Sequence, residues 1–240
     1  MKPTQSSQDG KLADMPRIVI RWAVRETMGL VMMGVILFLS SGRLSWIMGW
    51  GLLAVMGAWI VATGLVIIPR YPQLLADRVS PPKGAKRWDT VIMGIAGGLT
   101  VAGYVIAGLD FRYGWTTKMP AALPWIALGL TAIGYAIVVW ATASNAFFSM
   151  TVRIQKERGH TVATGGPYRF VRHPANAGMI LQFLGSPIVL GSWWAGLTGL
   201  VCALLIILRT VLEDRTLQEE LTGYMEYTAQ VRYRLLPGIW

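Results

Sequence analysis

An all-α, polytopic integral membrane protein with about six transmembrane helices is the fold class that the sequence predicts, on three observations. Of the 240 residues 54% are hydrophobic and only 14% are charged, against about 25% charged in soluble chains. The apolar residues gather in runs near the roughly 20 residues that a hydrocarbon layer requires. The basic residues alternate between segments: 1–25, 70–89, 149–175 and 209–240 hold 19 of the 22 Lys and Arg, and Arg43, Arg112 and Lys118 are the rest. Basic excess marks the cytosolic side, so these four segments and both termini are expected in the cytosol. Topology thereby accounts for the net charge of +10, which then gives no sign of a nucleic-acid partner.

Along the chain, residues 1–14 are polar and read as disordered. The first 25 residues lack the short apolar core and cleavage site of a signal peptide. From Met15 to Glu26 apolar and basic residues mix, as in a helix lying at the interface, so residues 1–23 are expected to form a cytosolic N-terminal segment. A first span is predicted over Val24–Ser41. The tight turn Ser41-Gly42-Arg43 makes the second, Trp46–Ile68, its antiparallel neighbour. Pro69 ends that span, and a polar loop with Pro81, Pro82 and Gly84 follows to Asp89.

The third span, Thr90–Leu109, carries Gly94, Gly97, Gly98 and Gly103, small residues expected to let helices approach. No strand precedes them and no GxGxxG spacing exists, which argues against a phosphate loop. Asp110–Pro124 is a link whose Phe111, Tyr113 and Trp115 suit a headgroup boundary. The fourth span, Trp125–Phe148, has Asn145 near its end. Last, Ala177–Leu190 and Trp193–Leu208 form a hairpin closed by Gly191-Ser192, with Pro187 kinking or ending its first arm. Residues 24–144 thus read as N-terminal transmembrane helices and 145–240 as a region with its own chemistry. The lone Cys202 forms no intramolecular disulfide.

That chemistry centres on Thr164–Asn176, TGGPYRFVRHPAN. Gly165, Gly166, Pro167 and Pro174 interrupt any helix, and Tyr168, Arg169, Arg172 and His173 fall close together. Pro174 suits the first turn of the next helix, where free N–H groups make an anion site. The other histidine, His160, lies just upstream. A metal is not expected, because the two histidines have no third protein ligand at useful spacing. Arg209 and Glu213, four residues apart, share a helical face where the last span meets the cytosol. Blander readings stand beside these. His173 suits a helix cap in a basic loop. Arg209, Glu213 and Asp214 suit a snorkelling arginine and a solvated acidic turn. Arg169 and Arg172 read as topology charges outside any site. Tyr224 and Tyr227 suit either a site or an interface.

The order GPYRFVRHP with Gly178, then Arg209, Glu213, Asp214 and Leu217, then Tyr224, Tyr227, Arg234 and Pro237 resembles the isoprenylcysteine carboxyl methyltransferase and phospholipid methyltransferase family over about Asn145–Trp240. The resemblance implies an integral membrane enzyme using S-adenosylmethionine. It implies that Gln155, His160, Thr161, Val162, Ala163, Tyr168, His173, Pro174, Ala175, Asn176 and Glu213 hold the cofactor. Arg209 is implied to contact the acceptor, a prenylcysteine carboxylate or another lipid. The chain departs from the family at Asn176, where many members have Tyr, and at Asp214, where Glu is usual. The cofactor's chemistry suits these residues: a carboxylate for its ammonium, and backbone N–H groups for its carboxylate. Two other classes remain open, a membrane reductase with a nicotinamide cofactor and a non-enzymatic transporter or assembly factor. The spans carry almost no ionisable residues away from their ends, which disfavours a transporter.

Overall fold

Apolar runs without interior breakers become long helices, and the breakers fall at the turns. The computed structural model describes residues 15–72, 74, 75, 78 and 84–240. Among the described residues the long helices are α1 (Met15–Ser41), α2 (Ile47–Arg70), α3 (Arg87–Tyr113), α4 (Leu123–Ala143), α5 (Pro174–Val189) and α6 (Trp193–Glu220), with a short α7 (Tyr224–Gln230). Two 3-10 turns, Lys156–Arg158 and Gly166–Arg169, punctuate the α4–α5 connection, and no strand is present among the described residues. The expectations for residues 1–14 and for Pro81-Pro82 lie outside the described residues.

Five helices, α1, α2, α3, α4 and α6, are long and apolar enough to cross a membrane. The protein is an integral membrane protein. The predicted span Ala177–Leu190 falls in α5, which has 16 residues, about 24 Å at helical rise and short of a full crossing. It still reaches the far end of the bundle. Just beyond it the Trp193 backbone N–H donates to Thr116 Oγ1 at 3.2 Å, and its indole N–H donates to the Lys118 carbonyl at 3.2 Å. The turn between α5 and α6 therefore sits with the α3–α4 link, and the hairpin stands upright.

Several boundaries differ from the expectation. The interfacial segment and the first span are one helix, because no breaker interrupts the ladder after Pro16. Pro69 lies inside the last turn of α2, which ends one residue later. Helix α3 runs on to Tyr113, where Gly114 at φ 69° closes it. Helix α4 stops at Ala143, so Asn145 lies beyond it. Helix α6 continues three turns past Leu208, since no breaker occurs before Gly223.

Close packing falls at other glycines than expected. Gly94, Gly97 and Gly98 face open space, and Gly103 alone of the four predicted positions meets a neighbour, the Thr198 side chain of α6. A close crossing joins α4 to α5. A Cβ on Gly134 would stand 2.7 Å from the Gly178 carbonyl oxygen, and one on Gly178 would stand 2.5 Å from that of Gly134. Only a residue without Cβ permits this approach. The crossing fixes the height of α5, and with it the loop that ends at His173. Large apolar side chains such as Met28, Leu39, Leu65, Ile133, Trp194 and Leu204 point outward, as lipid-facing surface does.

Candidate active site

The start of α3, the α4–α5 connection, the start of α5, the last turns of α6 and the C-terminal tail meet at the basic end of the bundle. The connection has little regular structure, so side chains hold it in place. Asn145 donates to the Tyr168 hydroxyl at 3.3 Å, and its Oδ1 accepts from the Phe147 N–H at 2.8 Å. Gln155 is fully buried. Its amide N–H donates to the Phe147 carbonyl at 2.6 Å, and its Oε1 accepts from Arg158 at 2.6 Å. The His160 ring stacks on Phe147 with centroids 4.7 Å apart. Burial, with Arg158 and Arg153 nearby, pushes the His160 imidazole below its ordinary pKa. Burial likewise pushes the Tyr168 phenol up, against the Asn145 hydrogen bond.

Next comes the turn into α5. The backbone N–H groups of Arg172 and His173 donate to the carbonyls of Tyr233 and Arg234, each at 2.9 Å, so the C-terminal tail is laced to this loop. Arg172, read from the sequence as a topology charge, is buried. It forks onto Asp214, with Nε at 2.9 Å from Oδ1 and Nη2 at 3.1 Å from Oδ2. Asp214 also accepts from Arg234 Nε at 2.9 Å, Tyr224 at 3.0 Å and Gln218 at 2.7 Å, and His173 Nε2 lies 3.1 Å from it. His173 Nδ1 is 3.6 Å from Glu213 Oε2. Burial disfavours the imidazolium, but the hydrogen bonds and charges of Asp214 and Glu213 outweigh it, and the His173 pKa lies above its ordinary value. Tyr224 and Tyr227 are buried here, with the Tyr227 hydroxyl donating to the Tyr168 carbonyl at 2.7 Å. Neither is an interface anchor.

Arg209 and Glu213 share one face of α6, as their spacing predicts. Arg209 Nη1 lies 3.3 Å from Glu213 Oε2 and donates to Asn176 Oδ1 at 2.6 Å, while Nε donates to Asp89 Oδ1 at 2.7 Å. Asp89 is fully buried in the first turn of α3, and its other oxygen accepts from the Val152 N–H at 2.8 Å. Asn176 Nδ2 donates to Glu213 Oε2 at 2.9 Å and to Thr210 Oγ1 at 3.1 Å. Where many family members carry Tyr, this Asn therefore ties α5 to both Arg209 and Glu213. Glu213 Oε1 and Arg209 Nη2 have no hydrogen-bond partner among the described residues.

A cavity of about 220 Å³ opens between these groups. His160, Thr161, Val162, Ala163, Tyr168, His173, Pro174, Ala175, Asn176, Arg209 and Glu213 all line it, and Gln155 does not. Sequence reasoning missed three contributors to the site. Asp89 acts through a partner 120 positions away, and its one signal is an acid in a strongly basic segment. Arg172 gave only a false signal, its basic surroundings. Arg78 lines the cavity from the α2–α3 connection, and no local pattern distinguishes it.

No curated protein matches the chain. Residues 123–222, which supply most of the cavity wall, match the phospholipid methyltransferase family, the family that the sequence resembles, and this match supports a membrane methyltransferase.

Proposed function

We propose that the chain transfers a methyl group from S-adenosylmethionine to a lipophilic acceptor at the membrane surface. One observation carries the reading. Glu213 gives one oxygen to Asn176 and Arg209, with His173 Nδ1 at 3.6 Å, and its other oxygen has no partner among the described residues, in a side chain still 23% exposed at the cavity. Two protein donors orient this carboxylate, and its other oxygen fits an ammonium group. At the start of α5 the N-cap His173 gives no side-chain cap, and Pro174 begins the helix. The Ala175 and Asn176 N–H groups are then left for an anion, which fits a carboxylate. Both ends of an amino-acid moiety are matched, and the stretch His160–Ala163 with Tyr168 offers wall for the remainder.

The cofactor would supply an activated methyl group, and positioning and desolvation fall to the protein. Glu213 binds and orients. Arg209, held by Asp89 and Asn176, keeps Nη2 for the acceptor's carboxylate or phosphate. By the positive-inside tendency the cavity opens to the cytosol, and cysteine labelling of residues 149–175 from each side tests this. Acceptors of two kinds fit the resemblance, a prenylcysteine carboxylate and a phospholipid. Calorimetry of the purified full-length protein with S-adenosylhomocysteine and with NADPH tests the reading. Binding of the first is expected, and binding of NADPH alone overturns it in favour of a reductase.

A further inference from the structure

Four arginines line the cavity, Arg78, Arg153, Arg172 and Arg209. Three of them meet carboxylates: Arg153 with Glu157, Arg172 with Asp214, and Arg209 with Asp89 and Glu213. Arg78 does not. Its residue is only 8% exposed, yet its guanidinium makes no hydrogen bond or ion pair among the described residues. Its backbone is fixed, since Arg25 donates to the Arg78 carbonyl. The neighbouring Leu74 and Leu75 are fully buried against Trp22 and Ile67, with Phe148 packed alongside. Burial pushes the guanidinium pKa down to about 10, and Glu26 offsets this only at a distance. A buried cation without a partner is costly, and a cavity wall is where a ligand can supply the missing charge.

We propose that Arg78 anchors the anionic group, phosphate or carboxylate, of a lipid that enters this cavity; calling that lipid the acceptor rests on the methyltransferase reading. The planar fork of arginine suits both groups. The surroundings favour a lipid over a free anion. Trp59 of α2 and Met93 of α3 line the same cavity, and both sit on spanning helices. Trp59 lies eleven positions before Arg70, about 16 Å into the bundle at helical rise. A molecule with a charged head at Arg78 and an apolar body against Trp59 and Met93 fits that wall. Arg78 also lies outside the stretch that matches the family, so the anchor belongs to this chain's own N-terminal half.

The test uses the full-length protein in detergent. Its probes are dihexanoylphosphatidylethanolamine, N-acetylfarnesylcysteine, inorganic phosphate and S-adenosylhomocysteine, with binding followed by calorimetry. Arg78→Gln should weaken binding of at least one of the two amphiphiles about tenfold or more, the loss expected for a charge-assisted hydrogen bond. Arg78→Lys, which keeps the charge, should recover part of it. S-adenosylhomocysteine affinity should stay within about twofold in both variants. Unchanged affinity for both amphiphiles overturns the anchor. A loss confined to S-adenosylhomocysteine overturns it too, by assigning Arg78 to the cofactor. Inorganic phosphate that binds as tightly as either amphiphile, with the same dependence on Arg78, overturns the lipid in favour of a free anion. Arg78-dependent amphiphile binding by a protein that does not bind S-adenosylhomocysteine supports the anchor and sinks the methyltransferase reading alone.

Discussion

Glu213 and Asp214 are sequence neighbours of the same charge, yet they sit in opposite surroundings. Asp214 is 1% exposed and is met by Arg172, Arg234, His173, Tyr224 and Gln218, so both its oxygens are saturated. Its partners come from the loop before α5, from α6 itself, from α7 and from the C-terminal tail. Glu213 faces the cavity with one oxygen held and one without a partner among the described residues. A saturated carboxylate has no lone pair to offer a ligand and serves to join segments. A half-held carboxylate is oriented but still has a bond to give. The same accounting separates Arg172 from Arg78 among the arginines.

The largest expected effect breaks the joining side of the contrast. Asp214→Asn leaves Arg172, Arg234 and His173 without the carboxylate that they share. Removing one partner of a buried ion pair costs about 3–5 kcal/mol, so thermal unfolding in detergent should drop steeply. A melting temperature close to wild type would place Asp214 with the solvated groups.

Glu213→Gln probes the other side. The size is kept and the charge facing the ligand is lost. A charge-assisted hydrogen bond is worth about 1.5–3 kcal/mol, so S-adenosylhomocysteine affinity should fall about ten- to 150-fold by calorimetry, with a much smaller melting shift than in Asp214→Asn. If both variants lose stability alike, the two carboxylates do not divide the work.

The sequence showed the architecture because its signals are local or additive: apolar runs, breakers at turns, and basic segments in alternation. It also showed Arg209 with Glu213, since four-residue spacing is a local signal. It hid what is joined across the fold. Asp89 meets Arg209 from 120 positions away and Arg172 meets Asp214 from 42, and neither spacing leaves a trace in the chain. Helix ends were hard to read where polar stretches stay helical. Past Leu208, where the predicted span ends, α6 continues through the i,i+4 pairs Arg209–Glu213 and Arg215–Glu219.

A smaller effect is expected for Arg209→Lys. The charge stays near Asp89 and Glu213, but the fork that reaches Asp89, Asn176 and the acceptor together is lost. Methyl transfer should fall about tenfold, with turnover affected as well as apparent acceptor affinity, while S-adenosylhomocysteine affinity changes little. The rival role makes Arg209 only a support for Glu213. Cofactor losses equal to those of Glu213→Gln, with a double variant no worse than either single one, would favour that rival.

The smallest effect is a dependence on pH, and it tests whether the Asp214 cluster holds a charged histidine. His173 Nε2 faces Asp214 and Nδ1 faces Glu213, so the imidazolium can point both protons at carboxylates. Its pKa is raised in the fold, burial opposing and the two acids prevailing. A raised pKa means that the folded state binds the proton more tightly than the unfolded chain does. The stabilisation is complete below the unfolded histidine value, about 6.5, and is lost as pH rises through the folded value. His160 runs the other way. Burial and its arginine neighbours lower its pKa, so it favours the fold above about 6.5 and loses that contribution as pH falls. The chain has only these two histidines, so single variants can separate the two slopes. Melting temperatures measured from about pH 5.5 to 8.5 should show that His173→Gln removes a decline toward high pH, and that His160→Gln removes a decline toward low pH. A His173→Gln profile parallel to wild type would mean that His173 stays neutral, with Asp214 balanced by Arg172 and Arg234 alone.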